Sequence, residues 1–199
     1  GRYDPGVMAQ LGLPREAYHA DGFEFHGDVS FLKAGLRFAD RLTTVSPSYA
    51  QEIQGSEFGF GLDGLLRHRR DVLSGILNGI DTTAWDPATD KLIARAYSDE
   101  RLRDKHYNKH ALRKRLGLAQ AAKMPLLGMV CRLSPQKGVD LAIAAINRLL
   151  ERPFQLAVLG SGSADLACAL HALADSAPDR FAFVGEFDDS LAHLIEAGS

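Results

Sequence analysis

The feature that most restricts the fold of this chain is a regular alternation, from residue 126 onward, of short apolar runs with segments of helical periodicity. The apolar runs, which have the length and composition of buried strands, are residues 126–131, 154–159 and 181–184. The helical segments begin at residues 139, 164 and 191. In the first of them the apolar residues follow offsets of four, three and four, as on one face of an α-helix: Val139, Ile143, Ile146 and Leu150. This order predicts an α/β fold with a doubly wound parallel sheet of Rossmann type and right-handed crossovers.

The first part of the chain alternates in the same way, but with shorter elements. Residues 1–28 lack periodicity and predict a region dominated by loops. Beyond them the sequence predicts helices at 30–38, with Ser30 as N-cap, at 49–53 and at 63–70, strands at 41–45 and 73–77, and a turn at 77–81. The pattern lapses at residues 82–98, which we interpret as a hinge between two domains, residues 1–81 and 99–199.

Composition excludes several classes of function. The 23 basic and 25 acidic residues nearly cancel, and they form no concentrated basic stripe with interleaved aromatics that would follow a phosphate backbone, so no nucleic-acid partner is predicted. Cys131 and Cys168, the only cysteines, lie in apolar stretches, which favours a reducing cytoplasm over a disulfide framework. No apolar run reaches the roughly 18 residues of a membrane span, and no protein partner is indicated. The histidines, including His193, lack metal-ligand spacing and are expected at the surface or in packing, so neither a metal nor a cofactor is predicted.

Residues 131–138 form the first of two loops that follow predicted strands, where ligands bind in open parallel sheets. In this loop Arg132 can form a bidentate contact with a phosphate, and Lys137 supplies a mobile point charge before a helix N-terminus. Together the two cations suit a diphosphate. From their spacing alone, two solvated cations on a surface loop remain the simpler alternative.

The second loop contains Gly160 and Gly162, where the absence of side chains allows a ligand to come close. It lacks the third glycine of a dinucleotide-binding fingerprint, so an ordinary turn with Ser163 as helix N-cap explains it equally well. Phe187 follows the third strand, where its ring can stack on a nucleobase or pack within its loop. Asn78 lies in the predicted turn at 77–81, where asparagine is common for backbone reasons.

Six phrases of the sequence, taken together and in this order, resemble those of glycogen and starch synthases along nearly the whole chain. They are FLKAG at 31–35, TVSPSYAQEI at 44–53, GLDGLL at 61–66, LNGID at 77–81, WDPATD at 85–90 and RLSPQKG at 132–138. The resemblance implies a fold of GT-B type, with parts of two Rossmann-like domains. It also implies a hexosyltransferase that needs no bound metal and moves glucose from ADP-glucose, with retention of configuration, to the non-reducing end of an α-1,4-glucan acceptor.

The resemblance assigns roles to residues as well. It implies that Arg132 and Lys137 contact the donor phosphates and that Asn78 is an active-site residue near the hinge. It places Phe187 beside the adenine, and it matches the pair Gly160 and Gly162 to a glycine-rich turn near the nucleotide. Residue 186 is glutamate where the family usually has glycine, a departure that bears on the shape of this loop.

The resemblance further implies that this chain is an internal fragment. A Lys-Gly-Gly loop, a first-domain histidine and a glutamate-containing donor motif of the family have no counterpart in these 199 residues. A glucosyl transition state needs groups around the sugar ring as well as the phosphates, so the chain is expected to be inactive by itself. Two alternatives are another retaining GT-B transferase with a different nucleotide sugar, and a non-catalytic module that binds nucleotide or glucan.

Overall fold

The computed structural model describes residues 1–149 and 151–199, which divide into two compact units, Gly1–Ile80 and Asp81–Ser199. Leu150, the last member of the predicted helical stripe, lies outside the described residues. The segment 82–98, interpreted above as a hinge, belongs to the second unit. Each unit is an α/β arrangement with its own parallel sheet.

The first unit consists of short elements, as the sequence predicts. In chain order its α-helices and β-strands are α1 (Gly6–Gln10), β1 (Glu24–Phe25), β2 (Asp28–Val29), α2 (Phe31–Phe38), β3 (Leu42–Thr44), α3 (Pro47–Glu52), α4 (Asp63–His68) and β4 (Leu73–Gly75). Strands β1 and β2 form an antiparallel hairpin, whereas β3 and β4 pair in parallel. The loop-dominated region therefore contains a helix and a hairpin that its sequence does not reveal, because these elements are too short to show periodicity.

Side-chain caps explain where two helices of the first unit, α2 and α3, begin. The Ser30 hydroxyl accepts a hydrogen bond from the Lys33 backbone N–H, which caps α2 as predicted. The Ser46 hydroxyl caps α3 in the same way, and Pro47 occupies its first turn. Strand β4 ends at Gly75, two residues before the predicted end, and residues 76–80 have no regular structure.

The second unit has the alternation that the sequence predicts. Its elements are α5 (Lys105–Leu116), β5 (Leu126–Val130), α6 (Val139–Leu149), β6 (Gln155–Leu159), α7 (Ala164–Ser176), β7 (Phe181–Val184) and α8 (Asp189–Gly198). The three strands are parallel, in the order β5-β6-β7. Among the described residues, no helix is long and apolar enough to cross a membrane.

Strand β6 is buried along its whole length, because apolar clusters lie on both faces of the sheet. Ala157 and Leu159 join the cluster that contains residues of α5 and α8. Leu156 and Val158 join the opposite cluster, which contains residues of α6 and α7. Successive strand residues thus face alternate layers, as in a doubly wound sheet.

Residues 82–98 form no helix or strand, but they are held firmly to the second unit. The Asp90 carboxylate accepts a 2.7 Å hydrogen bond from Nδ1 of His193 in α8, and both side chains are buried. The Trp85 ring stacks on the same imidazole, with 3.8 Å between ring centroids. The Asn108 amide bonds both the N–H and the carbonyl of Arg95. His193 is therefore a packing residue that anchors this segment.

Candidate functional site

A cavity of about 310 Å³ lies at the carboxyl ends of the strands of the second sheet. It is lined by residues that directly follow β5, β6 and β7, and three of the predicted site residues meet there: Arg132, Gly160 and Phe187. Cys131 and Ser161 line it as well. Neither residue was predicted to lie at the site, although each lies in a loop that follows a strand, which is the sequence signal for such a position.

The loops after β5 and β6 are joined to each other by backbone hydrogen bonds. The Leu133 N–H donates to the Ser161 carbonyl, and the Ser163 N–H donates to the Leu133 carbonyl, each over 2.9 Å. A Cβ added at Gly160 would lie 1.9 Å from the Cys131 carbonyl oxygen, and one added at Gly162 would lie 2.3 Å from that of Leu133. Both positions therefore need glycine for contact between the loops, whether or not a ligand also approaches. Ser163 precedes α7, but its side chain makes no capping bond.

Lys137 is placed differently from Arg132. It ends a 3₁₀ helix, Pro135–Lys137, in which its N–H donates to the Ser134 carbonyl, and it does not line the cavity. Gly138 then adopts the left-handed conformation, with φ of 68°, before α6 begins. The structure therefore brings Arg132 to the cavity and leaves Lys137 on the continuing loop.

Within residues 1–149 and 151–199, the Arg132 guanidinium and the Lys137 ammonium make no ion pair or hydrogen bond, and both residues are exposed. Glu186 lines the same cavity, but among the described residues it forms no ion pair with Arg132, so an anion need not displace it from the guanidinium. Exposed cations without internal partners fit both the phosphate-binding role and the alternative of two solvated cations on a surface loop, so the role of this pair stays a prediction.

Phe187 is 85% exposed, so its ring is accessible to a ligand in the cavity. The next residue, Asp188, fixes the loop because its carboxylate accepts the Leu191 N–H at the start of α8 and pairs with Arg115. The backbone bond from Leu191 is the main cause that holds the pKa of Asp188 below its usual value. The Phe187 ring is therefore presented at the cavity from an anchored position.

Asn78 lies in the first unit, in the irregular segment after β4, and is exposed. The predicted turn at 77–81 is displaced along the chain, because the first turn residues after β4 are 82–85. There the Asp81 carboxylate accepts the N–H groups of Thr83 and Ala84, and these bonds lower the pKa of Asp81. Among the described residues no cluster of histidine, cysteine or carboxylate side chains could hold a metal ion.

The left-handed Gly138 leads to a prediction about the loop that carries Lys137. Gly138→Ala is expected to lower the free energy of unfolding by about 1 kcal/mol, because a Cβ is unfavourable at this φ. Urea denaturation followed by the fluorescence of Trp85 measures the change. Gly138→Asn is the control and should lose less, since asparagine tolerates this conformation. Equal stability of the alanine variant and the parent would contradict the left-handed conformation of Gly138.

Comparison with known proteins gives consistent matches. The family described as "Starch synthase catalytic domain" matches residues 1–68. A glycogen synthase of Rhodopseudomonas palustris is 49% identical over 199 residues, all of this chain and 41% of that protein. Glycogen synthase 1 of Methylococcus capsulatus is 50% identical over the whole chain and 40% of its own length. The chain thus spans about two fifths of the length of these relatives.

The structural comparison matches the catalytic domain of starch synthase IV from Arabidopsis thaliana, solved with ADP and acarbose. The TM-score is 0.93 with 35% identity, over 100% of this chain and 42% of that one. The match confirms the predicted α/β fold of GT-B type. It leaves the domain boundaries and the role of each site residue as predictions.

Proposed function

We propose that this chain, which is similar to glycogen synthases and to a starch synthase along its whole length, forms part of a retaining glucosyltransferase. The proposed reaction moves glucose from ADP-glucose to the non-reducing end of an α-1,4-glucan. The observation that carries the proposal is the cavity at the carboxyl ends of the parallel strands, where Arg132, Gly160 and Phe187 meet. We place the reaction in the cytoplasm, in keeping with two free cysteines, Cys131 and Cys168.

Each residue has a part in this proposal. The unpaired Arg132 guanidinium binds the diphosphate and stabilises the negative charge that develops as ADP departs. Lys137 adds a second, mobile charge from the same loop, and Phe187 stacks on the adenine. For Asn78 the proposal keeps only the active-site role that the family resemblance implies. The similar starch synthase, solved with ADP and acarbose, supports the binding of a nucleotide together with a glucan.

Calorimetric titration with ADP, UDP and a malto-oligosaccharide tests the proposal. A preference for ADP supports the glucosyltransferase, and a preference for UDP indicates a retaining GT-B transferase with another donor. Binding of the oligosaccharide without either nucleotide indicates a non-catalytic glucan-binding module and overturns the proposal.

The 199 residues assayed by themselves are expected to transfer no glucose from ADP-glucose to glucan. The nucleotide site supplies charge around the phosphates, whereas an oxocarbenium-like transition state also needs groups around the sugar ring. Incorporation of radiolabelled glucose into glycogen measures the activity, with the full-length Rhodopseudomonas palustris glycogen synthase as positive control. Turnover by the isolated chain would show that these residues already contain the sugar-ring groups.

A further inference from the structure

A second cavity, of about 370 Å³, lies at the opposite edge of the second sheet. One wall is helix α5, and the other is formed by Gln120 and Ala122, shortly before β5 begins. The buried guanidinium of Arg113 joins this wall to the amino end of β6, since its Nε donates to the Gln155 side chain. The carboxyl-end cavity is a strand length away, roughly 15 Å for five residues. The two cavities are therefore separate.

The wall contributed by α5 is cationic for a simple helical reason. His106, Lys109, His110 and Arg113 follow the spacing i, i+3, i+4, i+7 and share one face. Asn108 and Leu112 on the other side are fully buried, which fixes the rotation of the helix. Helix α5 contains no acidic residue, and none of the residues that the structure describes around this cavity has a carboxylate.

Arg113 is 3% exposed, yet its partners are all neutral. Nε donates to Oε1 of Gln155 over 2.6 Å, and Nη2 donates to the Met124 carbonyl over 2.7 Å. Gln155 in turn donates to the carbonyls of Ala119 and Asp179. Among the described residues no carboxylate pairs with this guanidinium. A buried charge without a counter-charge is unfavourable, so an anion bound in the adjoining cavity would stabilise it.

The other basic side chains of this face are also available to bind an anion. In the described part of the chain, neither the Lys109 ammonium nor the His110 ring has a hydrogen-bond or ion-pair partner. Burial, and secondarily the charge of Arg113, lowers the pKa of Lys109. Nδ1 of His106 donates to the Arg103 carbonyl, which leaves Nε2 of that ring without an internal partner. A bound anion can therefore accept from several donors at once.

We propose that this second cavity binds a small phosphate-bearing anion, at a site distinct from the carboxyl-end cavity that Arg132 and Phe187 line. A phosphate group has enough oxygens to accept hydrogen bonds from Lys109, His110 and the neighbouring donors together. A single carboxylate has only two oxygens and fits this set of donors less well. The half-exposed Tyr107 ring, also at the cavity, offers an apolar face to an organic substituent. The phosphate is therefore either free inorganic phosphate or the phosphate of a sugar phosphate.

Titration of the chain with inorganic phosphate and with glucose 1-phosphate, at constant ionic strength in chloride, tests the site. NMR shifts of the histidine rings report binding. We expect saturable binding that Lys109→Gln and His110→Gln each weaken about tenfold, because each removes a charge-assisted hydrogen bond. Lys114→Gln, an exposed cation on the same helix outside the cavity, is the matched control and should change affinity less than about twofold.

The two ligands distinguish the sources of the phosphate. Tighter binding of glucose 1-phosphate, reduced by Tyr107→Ala, identifies a sugar phosphate, and equal or weaker binding identifies free phosphate. Saturating ADP should leave both affinities unchanged. The proposal is overturned if neither ligand binds saturably, if the control loses as much affinity as the cavity variants, or if ADP displaces the anion.

Discussion

Arg132→Ala is expected to weaken the binding of ADP to this chain by about one hundredfold, because two charge-assisted hydrogen bonds contribute about 1.5 kcal/mol each. The guanidinium is exposed at the cavity and has no internal partner in the described residues, so its removal leaves no buried group unsatisfied. The stability of the variant should therefore match that of the parent. Calorimetric titration measures the affinity, and urea denaturation measures the stability.

Arg148→Ala is the matched control for Arg132→Ala, since Arg148 is an exposed arginine of α6 away from the cavity. Its loss should leave the affinity for ADP within about twofold of the parent value, as expected for a long-range charge effect. If both variants lost affinity equally, general attraction between charges would explain the binding, and Arg132 would have no specific contact with the phosphates.

Gly160→Ala is expected to lower the free energy of unfolding of the second unit by about 3 kcal/mol, the upper end of the usual cost of overpacking. The added Cβ would lie 1.9 Å from the Cys131 carbonyl oxygen, which is backbone and cannot rotate away. Relief requires the loops after β5 and β6 to separate, so the position of Arg132 changes and ADP affinity should fall as well. Denaturation followed by Trp85, the only tryptophan in the sequence, reports this unit because the ring stacks on His193.

Gly185→Ala is the control for Gly160→Ala, because it also follows a strand of the same sheet. A Cβ at Gly185 meets the Phe183 ring at 3.4 Å, within ordinary contact. Its stability should lie within about 0.5 kcal/mol of the parent, as for most surface substitutions. A Gly160→Ala protein as stable as this control would mean that the two loops do not lie as close together as described.

Residue patterns predicted the second unit well because its strands and helices are long enough to show their periods. The first helix is the exception: mixed charges at helical spacing in residues 108–116 predict a helix there, but α5 already begins at Lys105. The first turn of α5 has little apolar periodicity. Asn108 is buried there, and its side-chain amide hydrogen-bonds the backbone of Arg95, which lies in the preceding irregular segment. The polar residues of 82–98 likewise suggested a hinge, although Asp90 and Trp85 attach to His193, far along the chain.

The sequence by itself determined the α/β class, the order of the elements and the two loops that follow β5 and β6, because local periodicity and turn residues encode them. Only the tertiary structure decided which residues meet. It joins Arg132, Gly160 and Phe187 at one cavity, since parallel strands bring their carboxyl ends to one edge, and it leaves Lys137 outside the lining. It also buries Arg113 among neutral partners, a juxtaposition that depends on packing between distant segments and has no local signature.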